Sequence, residues 1–239
     1  MGRRIRRKVG KERAGATDCT SRPRPLTGAA EDWIQGAMKL YSTPGTCALS
    51  PHIVLRELGV PFELVQVDLG KKLLRGDGGN FWAVNAKGYV PALELDDGTV
   101  VTEGAIIVQL LADRFPEKKL APPNGTMERV RLQEWLHFIA TELHKGQSPL
   151  YNPKANDEFK TALKERLKQR LGVLETQIAK ESFLTGPTFS VGDAYAFYVL
   201  RAWQRLTSSD LSDLPALKAY YARLLERPSI KEALLHEAG

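Results

Sequence analysis

One thiol in this chain sits in a setting suited to chemistry. Cys47 lies in Ser42-Thr43-Pro44-Gly45-Thr46-Cys47-Ala48-Leu49-Ser50-Pro51-His52, after the β-type run Met38-Lys39-Leu40-Tyr41 and before an apolar-periodic helix, Ile53–Leu58. At such a junction the helix dipole and unpaired backbone N–H groups favour the thiolate, so the pKa of Cys47 is expected to fall. The alternative is a buried small hydrophobe, the commoner fate of a free cysteine. Ser50 makes the spacing Cys-x-x-Ser, which lacks a resolving thiol and leaves no intramolecular disulfide cycle. Cys19 is the only other cysteine, too few for a disulfide framework and consistent with a reducing compartment.

The elements that would position this thiol alternate. Residues 39–41 read as a strand, 51–58 as a helix, and Phe62–Val67 as a period-two strand. Residues 71–85 are polar with Gly76, Gly78 and Gly79, which suggests a loop with at most a short helix. Ala92–Leu95, Asp96-Asp97-Gly98 and Thr99–Val101 read as a β-hairpin. Gly104–Phe115 reads as an apolar helix ended by Pro116. This βαβ then ββα order predicts an α/β layer whose sheet is parallel through the crossover and antiparallel in the hairpin.

Leu120–Gly125 has the composition of a linker, and every later segment is helical. Leu132, Trp135, Leu136, Ile139 and Leu143 form one apolar stripe; Leu163, Leu167, Leu171, Leu174 and Ile178 form a second. Ala194–Trp203 is apolar nearly all round and is expected to be a buried central helix, entered through Ser190-Val191-Gly192-Asp193, a capping-box pattern. Leu217, Tyr220, Tyr221, Leu224 and Leu225 make a last stripe, stopped by Pro228. The division that follows is a basic extension at 1–37, an α/β domain at 38–119, a linker at 120–125 and an all-helical domain at 126–239.

Charge argues against a nucleic-acid surface. The net charge is +6, of which residues 1–37 carry +5 and residues 38–239 only +1. The basicity therefore belongs to the extension, which is too poor in large apolar residues to offset its ordering entropy and is expected to be disordered, with Met38 opening the folded protein. It lacks the apolar core of a secretory signal, and nowhere does an apolar run approach the roughly 18 residues of a membrane span.

In this order and spacing, several motifs together resemble the cytosolic glutathione transferases, most like the bacterial beta class. They are Met38–Tyr41 with Pro44-Gly45-Thr46-Cys47, Gly88-Tyr89-Val90-Pro91-Ala92-Leu93, Asp96-Asp97-Gly98, Thr102-Glu103-Gly104, Glu134-Trp135-Leu136, and Ala140-Thr141-Glu142-Leu143-His144-Lys145-Gly146. The resemblance implies a thioredoxin-like domain followed by a helical bundle. It also implies glutathione as co-substrate and a homodimer.

It further implies roles. A cis Val90–Pro91 bond would offer the Val90 N–H and C=O to the cysteinyl amide of glutathione like an added strand; an ordinary trans proline is the alternative. Glu103 and Gly104, at a helix start, would take the γ-glutamyl end; otherwise Glu103 only complements the dipole. Lys72 would contact the glycyl carboxylate, or is simply solvated. Cys47 would meet the glutathione thiol or form a mixed disulfide with it, and a partly positive His144 from the helical domain would favour a thiolate there. Alone, His144 reads as a helix-end residue that satisfies carbonyls. Thr141, Glu142 and Leu143 would line the same face, Glu142 reaching toward a partner subunit's ligand, or they fill a turn.

This chain departs from the pattern at Ser42, where many relatives carry an aromatic, at Asn85-Ala86 in place of Asn-Pro, and at His137, where relatives often have an Asn ligand contact. Tyr41 is then expected only to pack, and Ser42 or Cys47 to act on the thiol. The activity implied is conjugation of glutathione to electrophilic small molecules. One alternative is monothiol–disulfide exchange through Cys47; another is a glutathione-binding interaction protein without turnover. No spacing of Cys, His and carboxylates suggests a metal, and a cytoplasmic location is expected.

Overall fold

The computed structural model describes residues 38–237. The basic extension lies outside the described residues. Five strands form one sheet in the order β3-β2-β1-β4-β5, with β1 at Met38–Ser42, β2 at Phe62–Asp68, β3 at Leu73–Leu74, β4 at Ala92–Glu94 and β5 at Val100–Thr102. β1 and β2 are parallel, Met38 opposite Phe62, because helix α1 (Leu49–Leu58) carries the chain back across the sheet. β4 runs antiparallel to both β1 and β5. Its hairpin turns at Gly98, whose φ is +81°, and Asp97 Oδ1 accepts from the Thr99 N–H at 2.8 Å.

Alternation along the strands sorts the side chains. Leu40 and Leu93 are fully buried and pack with Ile53 and Val54 of α1 and Ile107, Val108 and Leu111 of α3 (Gly104–Arg114). Tyr41, Val67, Ala92 and Phe81 form a smaller cluster on the other face. Phe81 comes from α2 (Phe81–Val84), a single turn capped by Asn80 Oδ1 on the Trp82 N–H at 3.0 Å. The polar stretch expected to be mostly loop thus holds α2 and the edge strand β3, whose two residues pair with Val67 and Asp68. So short a strand leaves no period to read.

The rest is helical: α4 (Met127–Phe138), a π segment (Ile139–His144), α5 (Lys145–Gln147), α6 (Asp157–Ile178), α7 (Val191–Thr207), α8 (Pro215–Leu225) and α9 (Pro228–Leu235). The architecture is thus a mixed α/β layer of thioredoxin-like order followed by an all-helical bundle. Pro228, expected to stop a helix, also opens the next one; at the first helical position its missing N–H costs nothing. None of the helices among the described residues is long and apolar enough to cross a membrane.

α7 is the axis of the bundle, buried from Val191 through Leu200. Asp193 anchors its start. Oδ2 accepts from the Ser190 N–H at 2.7 Å and the Ser190 hydroxyl at 2.8 Å, and Oδ1 accepts from the Leu184 N–H at 2.8 Å and the Tyr220 hydroxyl at 2.6 Å. One carboxylate thus ties the α6–α7 loop, the first turn of α7 and α8 together. Asp193→Ala would strand several buried donors and is expected to cost about 3 kcal/mol or more of stability, read from urea unfolding.

Candidate active site

A cleft of about 220 Å³ opens where the sheet layer meets the helical part. Cys47, Val90, Pro91, Glu103 and Gly104 line it from one side and Thr141 and His144 from the other. Cys47 sits in the turn that leads into α1, one residue before the cap Ala48. Its Sγ lies 3.5 Å from the Val90 carbonyl oxygen. The Val90–Pro91 bond is cis, and the Val90 N–H makes no hydrogen bond among the described residues.

The expected fall in the Cys47 pKa is not what this geometry produces. Burial pushes the thiol up to about 12, although nearby backbone and the Lys145 ammonium pull it back; Glu103 adds to the rise. A hydrogen bond donated to the Val90 carbonyl also requires the S–H form. His144 is corrected in the same way. Burial, helped by the Lys145 charge, lowers its pKa to about 4, so the imidazole is neutral at physiological pH rather than partly positive. Its Nδ1 lies 2.8 Å from the Tyr195 hydroxyl, and the rings of Tyr195 and Tyr198 stand edge-on to it.

Glu103 caps α3 with a left-handed φ of +70°. Its Oε1 is 2.8 Å from Lys87 Nζ, which also donates to Thr102 Oγ1 at 2.9 Å. The Glu103 carbonyl accepts from Ile106 and Ile107, and the Gly104 and Ala105 N–H groups make no hydrogen bond among the described residues. A carboxylate, a cation and a helix N-terminus therefore adjoin at one end of the cleft, a pattern able to meet a zwitterionic amino-acid end.

Other expected site residues stand apart from this lining. Lys72 Nζ donates to the Gly88 carbonyl at 2.7 Å and lies over the Tyr89 and Trp82 rings, at 5.3 and 5.6 Å. His137 and Glu142 line a separate groove next to the cleft, which Thr141 shares. Glu142 Oε2 is 2.9 Å from Arg170 Nε and 3.7 Å from Arg166 Nη2. Leu143 is fully buried in the core. Ser42 is buried and outside the cleft lining. Tyr41 packs on Phe81 and donates to Glu94 Oε2 at 2.6 Å.

The cleft also contains residues to which no role was assigned from sequence: Lys87, Tyr89, Lys145 and Tyr195. Tyr89 and Lys145 stand inside the quoted motifs beside Val90 and His144, so their positions were a signal. Tyr195 had none, because it reads as one more apolar position of α7. Asn85 binds the turn before Val90, its Nδ2 donating to the Tyr89 carbonyl at 2.7 Å and its Oδ1 accepting from the Lys87 N–H at 3.0 Å.

A thiol held this way should be slow toward iodoacetamide. Alkylation of Cys47 in the free protein is expected to run roughly 100-fold slower than that of free cysteine at mildly alkaline pH. The rate should climb about tenfold per pH unit up to about pH 11, with no step near neutrality from His144. Mass analysis of the Cys47 peptide across a pH series checks both.

Comparison with known proteins agrees with this arrangement. Family models for the N-terminal and C-terminal domains of glutathione S-transferase match residues 40–119 and 138–228. Glutathione S-transferase GstA of Escherichia coli O157:H7 is 44% identical over 200 residues, covering 84% of this chain and 98% of that one. Among solved structures, a ternary complex of BphK, a bacterial GST, is 49% identical with a TM-score of 0.80, over 84% of this chain and 100% of that one. The bacterial beta class glutathione S-transferase of Sphingomonas chungbukensis is 42% identical with a TM-score of 0.79, over 83% and 98%. With both domain models matched in order over most of the chain, and such relatives spanned nearly end to end, this protein belongs to the glutathione S-transferase family.

Proposed function

We propose that this protein joins the sulfur of glutathione to electrophilic small molecules, as a homodimeric, cytoplasmic enzyme of the bacterial beta class serving detoxification. The observation that carries the reading is the Val90 N–H, which makes no hydrogen bond among the described residues, beside Cys47, with Glu103 and the α3 N-terminus at one end and His144 across the cleft. The extended tripeptide would pair with Val90, and its γ-glutamyl end would meet Glu103 and the Gly104 and Ala105 N–H groups. Lys145, in the cleft lining, and Lys72, outside it, lie 5.7 and 5.3 Å from the Tyr89 ring and would take the glycyl carboxylate. Thr141 borders the adjoining groove, where His137 and Glu142 would face a partner subunit; exposed Ile106, Met127 and Val130 on α3 and α4 suit such a face.

The protonation states favour conjugation over exchange through Cys47. A thiol held protonated is a poor nucleophile but a usable donor. In the tautomer whose Nδ1 accepts from the Tyr195 hydroxyl, a neutral His144 keeps its own proton on Nε2 and also donates. Both could stabilise the glutathione sulfur as it loses its proton to solvent. That sulfur then forms a bond to the electrophilic carbon, and the leaving group departs with its electron pair. The protein's contribution is to lower the thiol pKa of its ligand and to align the attack.

Replacing Cys47 tests the choice. Cys47→Ala should keep conjugation of glutathione to a chlorodinitrobenzene within about tenfold of the parent, since one weak donor is lost. If Cys47 were the reacting sulfur, the substitution would instead abolish a glutathione mixed disulfide seen by intact mass, along with all disulfide-exchange turnover. Retention on immobilised glutathione with no turnover of either kind would leave a binding protein.

A further inference from the structure

The backbone of Gly45, two residues before Cys47, is gripped on both sides by the helical part. Its N–H donates to Glu237 Oε2 at 2.6 Å, and its carbonyl accepts from Arg205 Nη1 at 3.5 Å. The Gly45 φ is +78°, and a Cβ there would lie 2.8 Å from both terminal nitrogens of Arg205. Glycine is what allows the guanidinium to lie across the loop.

Glu237 stands just beyond α9. Burial raises the pKa of its carboxyl, while the Gly45 N–H and the Arg201 and Arg205 charges draw it back. The preceding residue grips the helix that follows Cys47. His236 Nε2 is 3.2 Å from Arg56 Nη2, and its ring centroid is 5.4 Å from that of His52. Arg56 Nε in turn donates to His52 Nε2 at 3.3 Å. The loop is also tied within its own layer. Thr43 Oγ1 donates to the Val67 carbonyl at 2.7 Å, and Thr46 Oγ1 donates to the Thr43 carbonyl at 2.6 Å.

We propose that the His236–Glu237 turn is a latch that fixes the Cys47 loop, and that Glu237 is a positioning residue acting through the Gly45 peptide. Where Sγ sits against the Val90 carbonyl depends on where the 43–47 turn lies, and that turn, closed on itself by Thr46 and the Thr43 carbonyl, is held from outside by a carboxylate nearly two hundred residues away in sequence. Releasing the Gly45 N–H would let the turn open locally without unfolding the sheet or the bundle. The inference holds whichever reaction the thiol serves.

Two readouts that need no glutathione test it: hydrogen exchange at the Gly45 amide, and iodoacetamide alkylation of Cys47. Glu237→Ala should speed both by about tenfold, the loss of one charge-assisted hydrogen bond. Glu237→Gln keeps an acceptor oxygen and should stay near the parent. Arg205→Ala, at an exposed side chain, should speed Gly45 exchange to a smaller extent. Unchanged exchange at Gly45 in Glu237→Ala would overturn the latch, whatever Arg205→Ala does. So would a Gln variant as fast as the Ala variant, since the acceptor would then not be what holds the loop.

Discussion

The seam between α1 and the helical bundle is the constraint on which the cleft depends. α1 is buried on the sheet side by Leu40 and Leu93 and on the other by α7 and α9. Its one carboxylate, Glu57, is bound by the Arg227 guanidinium and by the Ser229 hydroxyl at 2.5 Å. These partners are the cap and second residue of α9, so the ion pair also fixes where that helix begins. Cys47 reaches the cleft from the N-terminus of α1 and His144 from the bundle. Their separation is therefore set by how α1 is held against α7 and α9, rather than by any contact between the two side chains themselves.

Burial at that seam then decides the protonation of the site. Cys47, His144 and Tyr195 are all driven toward their neutral forms, the thiol and phenol upward and the imidazole downward, with desolvation as the leading cause in each case. The helix dipole at α1 acts in the opposite sense on Cys47 and does not prevail, because it is felt across one intervening residue whereas the walls of the cleft press directly on the sulfur. A cleft with neutral donors and a cationic rim at Lys87 and Lys145 is suited to stabilising charge on a ligand rather than generating it on the protein.

How much of this was legible in sequence depended on the range of the forces involved. The βαβ and hairpin order was legible because period and turn chemistry are local: Asp97 and Gly98 make their turn with their own neighbours. The stripe through Leu132, Trp135, Leu136, Ile139 and Leu143 likewise marks buried positions, save that Trp135 is half-buried against the core. Two things escaped. Pro228 carries the same signal whether it ends one helix or begins the next, and only packing of α9 on α1 selects the second. The protonation of His144 is set first by burial, to which the rings of Tyr195 and Tyr198 contribute from more than fifty residues on, where they read as ordinary apolar positions of α7. Glu142 is likewise decided at a distance, by Arg170 of α6.

The π segment explains why adjacent motif residues part company. An α-helix advances about 100° per residue, so the extra residue of a π turn rotates everything after it by about that angle. Within Ile139–His144, the fully buried residues are Ile139 and Leu143, while Thr141 and His144 border the cleft and Glu142 faces Arg170. Thr141 Oγ1 donates to the His137 carbonyl at 2.9 Å, taking up an acceptor in the last turn of α4 where the regular ladder gives way. Continued as an α-helix, the stripe that buries Leu132 and Leu136 would keep its phase through this stretch and swing His144 and Lys145 away from where they now stand. The widened turn therefore matters for the imidazole rather than for Leu143, whose spacing from Leu132 already places it on the α-helical stripe: it leaves His144 bordering the cleft that Cys47 lines.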